Sequence, residues 1–200
     1  KQAKAASREL SRLVTADKNA CLLAMAGALE ENATAIKEAN ALDMEAGAEM
    51  GLSSAMLDRL KLDDKRIAAM AEGVEQIAAQ VDPVGQVIEG YVRPNGLRIA
   101  KIRAPIGVVL FFYESRPNVT SDAAALCIKS GNAIILRGGK EALHSNTALH
   151  HILQDTLKTV GLPPDAVQVV TTIDRAAGVH LLRLNGLIVL GCPRGGQPLL

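Results

Sequence analysis

Three short clusters in this sequence combine residue types able to hold an anionic ligand, and each follows an apolar run. Glu114-Ser115-Arg116-Pro117-Asn118 sets a carboxylate, a hydroxyl, a guanidinium and an amide directly after the run from Val108 to Phe112. Arg116 can anchor an anion there, with Glu114 or Asn118 orienting a reacting group; a helix-capping loop with a local Glu–Arg pair is the plain alternative. Arg137-Gly138-Gly139-Lys140 follows Ala133 to Leu136. Glycines let backbone amides approach a phosphate, and the flanking cations suit a phosphorylated ribose; the same four residues also make a simple turn. Arg194-Gly195-Gly196 repeats the arrangement after Leu187 to Leu190. Neither glycine cluster matches GxGxxG or the Walker pattern.

Other reactive side chains are less well placed. Cys21, Cys127 and Cys192 are odd in number, far apart and without a CxxC pair, which fits neither a zinc site nor a disulfide framework. Cys21 and Cys127 fall on apolar helix faces, as buried fillers do. Cys192 sits beside a glycine turn with only Arg194 near in sequence to lower its pKa. His144, His150 and His151 follow the RGGK cluster, but adjacent residues on a helix do not share a face, so no metal site is expected.

The elements that must position these clusters are legible from periodicity. Residues 1–82 are rich in Ala, Leu, Met, Glu and Lys and carry apolar stripes at helical spacing, among them Leu22, Met25, Ala26 and Leu29, then Ile67, Met70, Val74, Ile77 and Ala78. This predicts a helical layer, with Asn32, Ser53 and Asp63 as helix caps and Gly47 and Gly51 as breaks. Residues 83–104 read as a hairpin, strands 86–92 and 97–103 joined by Arg93-Pro94-Asn95-Gly96. Such a hairpin projects to meet a neighbouring subunit or folds back as a flap. From Pro105 the rhythm becomes strand, helix, strand, helix: strands at 108–112, 133–136, 167–170 and 187–190, with helices starting near Asn118, Ser145 and Asp174. Repeated βα units imply a parallel sheet wound right-handedly, with ligands at its carboxyl edge.

Composition narrows the function. Of 200 residues, 48% are hydrophobic, and the formal net charge is +1, leaving no basic surplus for nucleic acid. Two Tyr, two Phe and no Trp provide little for base stacking. No apolar run approaches a membrane span, and Lys1 to Leu10 lacks the apolar stretch of a secretory signal. The expected setting is the cytoplasm.

The segment from Pro105 to Asn146, with YESRPNVT and GNAIILRGGKEA inside it, resembles the γ-glutamyl phosphate reductase family of the aldehyde dehydrogenase superfamily. GLSSAMLDRL from Gly51, DPVGQV from Asp82, Gly161-Leu162-Pro163 and Pro193-Arg194-Gly195-Gly196 extend the likeness over nearly the whole chain. The resemblance implies an α/β, aldehyde-dehydrogenase-like fold: helical layer 1–82, oligomerisation hairpin 83–104, and the βα units of an incomplete Rossmann-like NADPH-binding domain from 105 to 200. It implies NADPH-dependent reduction of γ-glutamyl phosphate (L-glutamate 5-phosphate) to L-glutamate 5-semialdehyde and phosphate in proline biosynthesis, through a cysteine thioester. Glu114, eighteen residues before Asn132, matches the superfamily's substrate-side asparagine; Ser115, Arg116 and Asn118 join it as substrate-binding candidates. Arg137 stands where a lysine holds the adenine ribose, and an arginine suits a 2′-phosphate, hence NADPH. Lys140 matches a second ribose contact, with Gly138 and Gly139 between them, and Arg194, Gly195 and Gly196 match the loop before the pyrophosphate-binding helix. The family also suggests a dimer or tetramer through the 86–103 hairpin and a functional link to glutamate 5-kinase.

Two departures stand out. The family's nucleophilic cysteine lies in a Gly-x-Cys-His segment, expected beyond Leu200, and none of the three cysteines matches it; the isolated chain is therefore expected to be inactive. Ile188-Val189 stands where the family has Ile-Asp, and Gly191-Cys192 replaces an apolar pair. The alternatives are a non-catalytic NADP(H)-binding module or another aldehyde or acyl-phosphate dehydrogenase.

Overall fold

The computed structural model describes residues 1–195. Five helices come first: α1 (Gln2–Leu10), α2 (Thr15–Glu31), α3 (Ala33–Glu49), α4 (Ser54–Leu60) and α5 (Asp64–Ala79). Their apolar stripes face inward as the periodicity predicts. Leu22, Met25, Leu29, Ile67 and Val74 are all buried in one core shared with the sheet. Ser53 and Asp63 cap α4 and α5, accepting from the amides of Met56 and Arg66. Asn32 does not cap: its side-chain amide donates back to Ala28 O, closing α2 instead. Gly47 does not break α3 either. It is buried inside the helix, where a Cβ would come within 3.0 Å of Leu52 Cδ1, so its smallness lets α4 pack closely.

Strands β1 (Val87–Val92) and β2 (Arg98–Ile102) form an antiparallel hairpin, and every residue of both is exposed. The sheet proper has four parallel strands, β3 (Val108–Tyr113), β4 (Ala133–Arg137), β5 (Val167–Val169) and β6 (Leu190–Arg194), in the order β5-β4-β3-β6. The helices α6 (Val119–Lys129), α7 (Leu143–Thr159) and α8 (Arg175–Leu182) connect them. The chain winds outward from β3 through β4 to β5, then returns to place β6 on the other side of β3. That reversal creates a crevice at the carboxyl ends of β3 and β6, where open α/β sheets bind their ligands.

Register is pinned at the opposite edge. Asn132 Oδ1 accepts from the amides of Ile106 (2.6 Å) and Gly107 (2.8 Å), clamping the entry to β3 against the entry to β4. Only Gly131 takes the left-handed conformation (φ 73°) that the Gly-Asn pair suggests; Asn132 is the clamp.

The last strand departs from its expected position. It spans Leu190–Arg194 rather than 187–190, because pairing with β3, from Val109↔Leu190 to Tyr113↔Arg194, decides it rather than local hydrophobicity. Leu187 and Ile188 instead complete the turn at Gly186 (φ 80°). β6 borders only β3 among the described residues, an edge position at which Pro193 is tolerated without an N–H. Leu126 on α6 and Val160 at the end of α7 are exposed. Among the described residues, no helix is long and apolar enough to cross a membrane.

Candidate functional site

Parallel pairing brings the three clusters to one edge. Phe112 pairs with Arg137 and Tyr113 with Arg194, so Glu114 and Gly195 leave their strands at the same level, with Gly138 one residue below. Gly195 is where Glu114 needs space: a Cβ there would lie 2.7 Å from the Glu114 carboxyl carbon. Arg194 is the last residue of β6, not a loop residue. Gly196 lies outside the described residues.

The turn after β3 is held in an unusual shape. Ser115 is buried and takes φ 42°, a left-handed conformation that a residue with a Cβ adopts only when its surroundings hold it there. Glu141 holds it, accepting from both Ser115 N and Ser115 Oγ at 2.7 Å. The hydroxyl that sequence reading offered to substrate is thus engaged in shaping the loop. Arg116 is exposed beyond it. Asn118 is half-buried and donates to Asp122 Oδ2 at 2.9 Å rather than capping α6. Tyr113, Thr120 and Asn146 form a buried chain beneath, with Tyr113 Oη 2.6 Å from Thr120 Oγ1 and Thr120 Oγ1 donating to Asn146 Oδ1 at 3.0 Å. Burial pushes the Tyr113 phenol far above its ordinary value, so it is no acid or base at neutral pH.

At the end of β4, Arg137 donates from Nη2 to Asp174 O (3.1 Å), while its Nε is buried with no partner. Its stem passes under α8 at Gly178, where a Cβ would sit 3.2 Å from Phe112 and 3.6 Å from Arg137 Nε. Gly138 and Gly139 are required by neighbours: a Cβ on Gly138 would fall on the Asn146 amide, and one on Gly139 on the Glu141 carboxylate. Lys140 is exposed and opens a 3₁₀ turn, Lys140–Ala142, that leads into α7.

Three residues that position this edge went unnoticed in the sequence. Ala142, at the N-cap of α7, has no side chain able to accept from the helix's first amides. Asp43 on α3 does so from 102 residues away, taking Ser145 N (2.7 Å) and Ser145 Oγ (2.6 Å) on Oδ2 and His144 N (3.0 Å) on Oδ1. Asn40 supports it, donating to Ser145 Oγ and Leu60 O and accepting from Leu62 N. Glu141 is the third. The available signal was spacing: Asn40 and Asp43 lie on the stripe of Ile36 and Gly47, where buried polar residues need partners.

Three adjoining clefts result. One, about 610 Å³, has Arg137, Gly139 and Lys140 on one wall and Val170, Thr172 and Ile173 on another. It shares Met56, Tyr113, Glu114 and Ser115 with a second, about 450 Å³, which reaches Arg194 and Gly195. The second shares Arg59 and Arg116 with a third, about 530 Å³, beneath α5. The cysteines stay apart from this chemistry. Burial pushes the Cys21 thiol to about 12, and burial together with Cys192 does the same for Cys127. Cys192 lies within β6 opposite Phe111. His150 stands beside Val167, at the start of β5 and the far edge of the sheet, where burial lowers its pKa.

Comparison with known proteins bears on what this edge serves. The sequence pattern of the aldehyde dehydrogenase family matches residues 1–189. The chain belongs to the aldehyde dehydrogenase family. Its relatives include γ-glutamyl phosphate reductases of Rhodopirellula baltica, 52% identical over 200 residues, and Geotalea daltonii, 51% identical over 198 residues. This chain aligns over 100% and 99% of its length with them, and spans 46% and 47% of theirs. The crystal structure of the Thermotoga maritima γ-glutamyl phosphate reductase superposes with a TM-score of 0.96 at 40% identity, over 99% of this chain and 48% of that one. The Saccharomyces cerevisiae enzyme superposes at 0.92 with 35% identity, over 99% of this chain and 50% of that one. An acetylating aldehyde dehydrogenase from Geobacillus thermoglucosidasius, 21% identical with a TM-score of 0.71 over 94% of this chain and 38% of that one, shares the fold. The chain thus has the α/β fold of this family and about half the length of the reductases it matches.

Proposed function

We propose that this chain forms the cofactor-binding part of a γ-glutamyl phosphate reductase, which reduces L-glutamate 5-phosphate to L-glutamate 5-semialdehyde and phosphate with NADPH in the cytoplasm. The supporting observation is the reversal of strand order at β3, which sets Glu114 against Gly195 and opens the two sheet-edge clefts. The relatives' shared name, γ-glutamyl phosphate reductase, supports the reductase reading.

The residues present fit that cofactor. The buried, unpaired Arg137 Nε and the exposed Lys140 put two cations on one wall of the larger cleft. An unmet donor of this kind calls for an acceptor, and a ribose 2′-phosphate supplies charged oxygens matched to a guanidinium. In this reading Arg137, Gly138, Gly139 and Lys140 hold the adenosine end, Arg194 and Gly195 border the pyrophosphate, and NADPH when bound supplies the hydride. Glu114 faces the acyl phosphate and Arg116 anchors the substrate as an anion, while Asn118 acts through Asp122. Ser115 acts through the Glu141-held turn that aims Glu114.

No cysteine of this chain is placed as the nucleophile: two are buried with raised pKa values, and Cys192 lies inside a strand. In this reading the attacking thiolate comes from outside these residues, and the 200-residue chain alone is expected to reduce no NADP with glutamate semialdehyde and phosphate. Fluorescence titration of the chain with NADPH and NADH tests the cofactor reading. Arg137→Ala should weaken NADPH about 10- to 100-fold, the worth of one or more charge-assisted bonds, and leave NADH nearly unchanged. Equal NADPH binding by both proteins would remove Arg137 from the phosphate site.

A further inference from the structure

The third cleft, about 530 Å³ beneath α5, joins the substrate-facing cleft through the shared residues Arg59 and Arg116. Its volume is that of a small-ligand pocket, and its walls carry both signs of charge. Four cations line it, and two of them are already engaged. Arg66 binds Asp58 Oδ1 at 2.8 Å and the carbonyls of Asp58 and Lys61, tying α4 to α5, and Lys61 stands 3.9 Å from Asp63. Arg59 and Arg116 make no hydrogen bond or ion pair with their side chains among the described residues.

The carboxylate on the inner wall is Asp122, on the first turn of α6. Its Oδ2 accepts from Asn118, whereas Oδ1 has no hydrogen-bond partner among the described residues and lies on the cavity wall beside Gly73. Burial pushes its pKa up, and the Asn118 amide and the charge of Arg194 offset only part of that. An acid whose folded pKa is raised stabilises the fold only while protonated. That contribution is present below the unfolded value and is lost as pH rises through the folded one, so at neutral pH this carboxylate costs stability. Gly73 sharpens the point. It lies inside α5, where Ala is the better helix former, and a Cβ there would meet nothing closer than Asp122 Oδ1 at 3.9 Å. The chain therefore carries two costs at this cavity, a half-buried carboxyl without a contacting cation among the described residues and a helix-interior glycine on its wall.

We propose that this cavity is the amino-acid subsite of the reductase: Asp122 Oδ1 receives the α-ammonium of the substrate, and Arg59 with Arg116 receives its α-carboxylate. A single-headed anion leaves Asp122 unmatched and a simple aldehyde leaves all three unmatched, so the cavity selects a zwitterionic acyl donor. The assignment rests on the reductase reading above and specifies which residues discriminate.

The test uses the full-length reductase containing this segment, run in the oxidising direction with NADP, phosphate and four aldehydes. These are glutamate 5-semialdehyde, 5-oxopentanoate (no ammonium), 4-aminobutanal (no carboxylate) and butanal (neither). Asp122→Asn should lower kcat/KM about 10- to 100-fold for glutamate semialdehyde and 4-aminobutanal, spare 5-oxopentanoate and butanal, and leave Tm unchanged or raised. Arg59→Gln should lower glutamate semialdehyde and 5-oxopentanoate and spare the other two. Gly73→Leu, which fills the cavity, should raise KM for glutamate semialdehyde more than for butanal. Equal losses on all four aldehydes, or none, would overturn the subsite while the reductase reading stands. Failure of the wild-type enzyme to oxidise glutamate semialdehyde would overturn both.

Discussion

Replacing Asp43 by Asn probes how the sheet edge is held, with little change of shape. The carboxylate accepts three hydrogen bonds at the start of α7, two from the backbone amides of His144 and Ser145 and one from Ser145 Oγ. Its charge also sits at the positive end of the helix dipole. An asparagine keeps one oxygen. If that oxygen stays with Ser145, the new amide faces the amide of His144, donor against donor. A hydrogen bond to a charged group is worth roughly 1.5–3 kcal/mol and the dipole term roughly 0.3–1 kcal/mol, so the change should cost about 2–4 kcal/mol. For a chain of this size that lowers Tm by about 5–15 °C, at roughly 2–4 °C per kcal/mol. Thermal unfolding followed by circular dichroism measures it. Because the 3₁₀ turn carrying Lys140 runs directly into α7, NADPH affinity should fall as well. A Tm loss below about 2 °C would refute the anchoring argument. A large Tm loss with unchanged NADPH affinity would refute its extension to the cofactor loop.

Asp82→Ala should be more damaging. Asp82 accepts from Lys18 Nζ (2.8 Å), Thr15 Oγ1 and Val84 N, and the Lys18 side chain is only 2% exposed, so the change strands a buried cation at a cost of about 3–5 kcal/mol. Burial raises the Asp82 pKa, but Lys18, the Val84 amide and Thr15 outweigh it and hold the carboxyl below its usual range. A depressed acid stabilises the fold above its unfolded pKa and loses that contribution as pH falls through the folded value. The gap between wild type and Asp82→Ala in urea unfolding should therefore be widest at neutral pH and shrink below about pH 4; a gap that grows in acid would contradict the assignment. The hairpin gives the remaining prediction. Val87, Tyr91, Val92, Leu97 and Ile102 expose large apolar surface on a ribbon with no buried residue, which a second copy would cover. If copies pair through this ribbon, Tyr91→Asp with Val92→Asp should yield smaller species in sedimentation velocity; unchanged sedimentation would refute pairing through the hairpin.

Periodicity and turn chemistry carried most of the architecture. The stripe Leu22, Met25, Leu29 is helical because nothing else buries those residues together, and the Asn95-Gly96 turn marks a hairpin because Gly96 must accept φ 84°. Local pattern also placed ESRPN and RGGK at strand ends, since polar clusters that follow abruptly on buried apolar runs have few other places to go. It did not tell which residues in those clusters face a ligand. Ser115 reads as a candidate contact, yet its hydroxyl is taken by Glu141 across 26 residues. Gly138 and Gly139 read as a phosphate cradle, yet Asn146 and Glu141 already demand them. The strand order, the register that moved β6 three residues onward, and the long reach of Asp43 to α7 all depend on pairing between segments far apart in the chain. The free energy that decides such pairings lies in contacts a one-dimensional pattern does not contain. Tertiary structure alone also joined Arg59, Gly73, Arg116 and Asp122, which lie on three elements and the turn before α6, around one cavity.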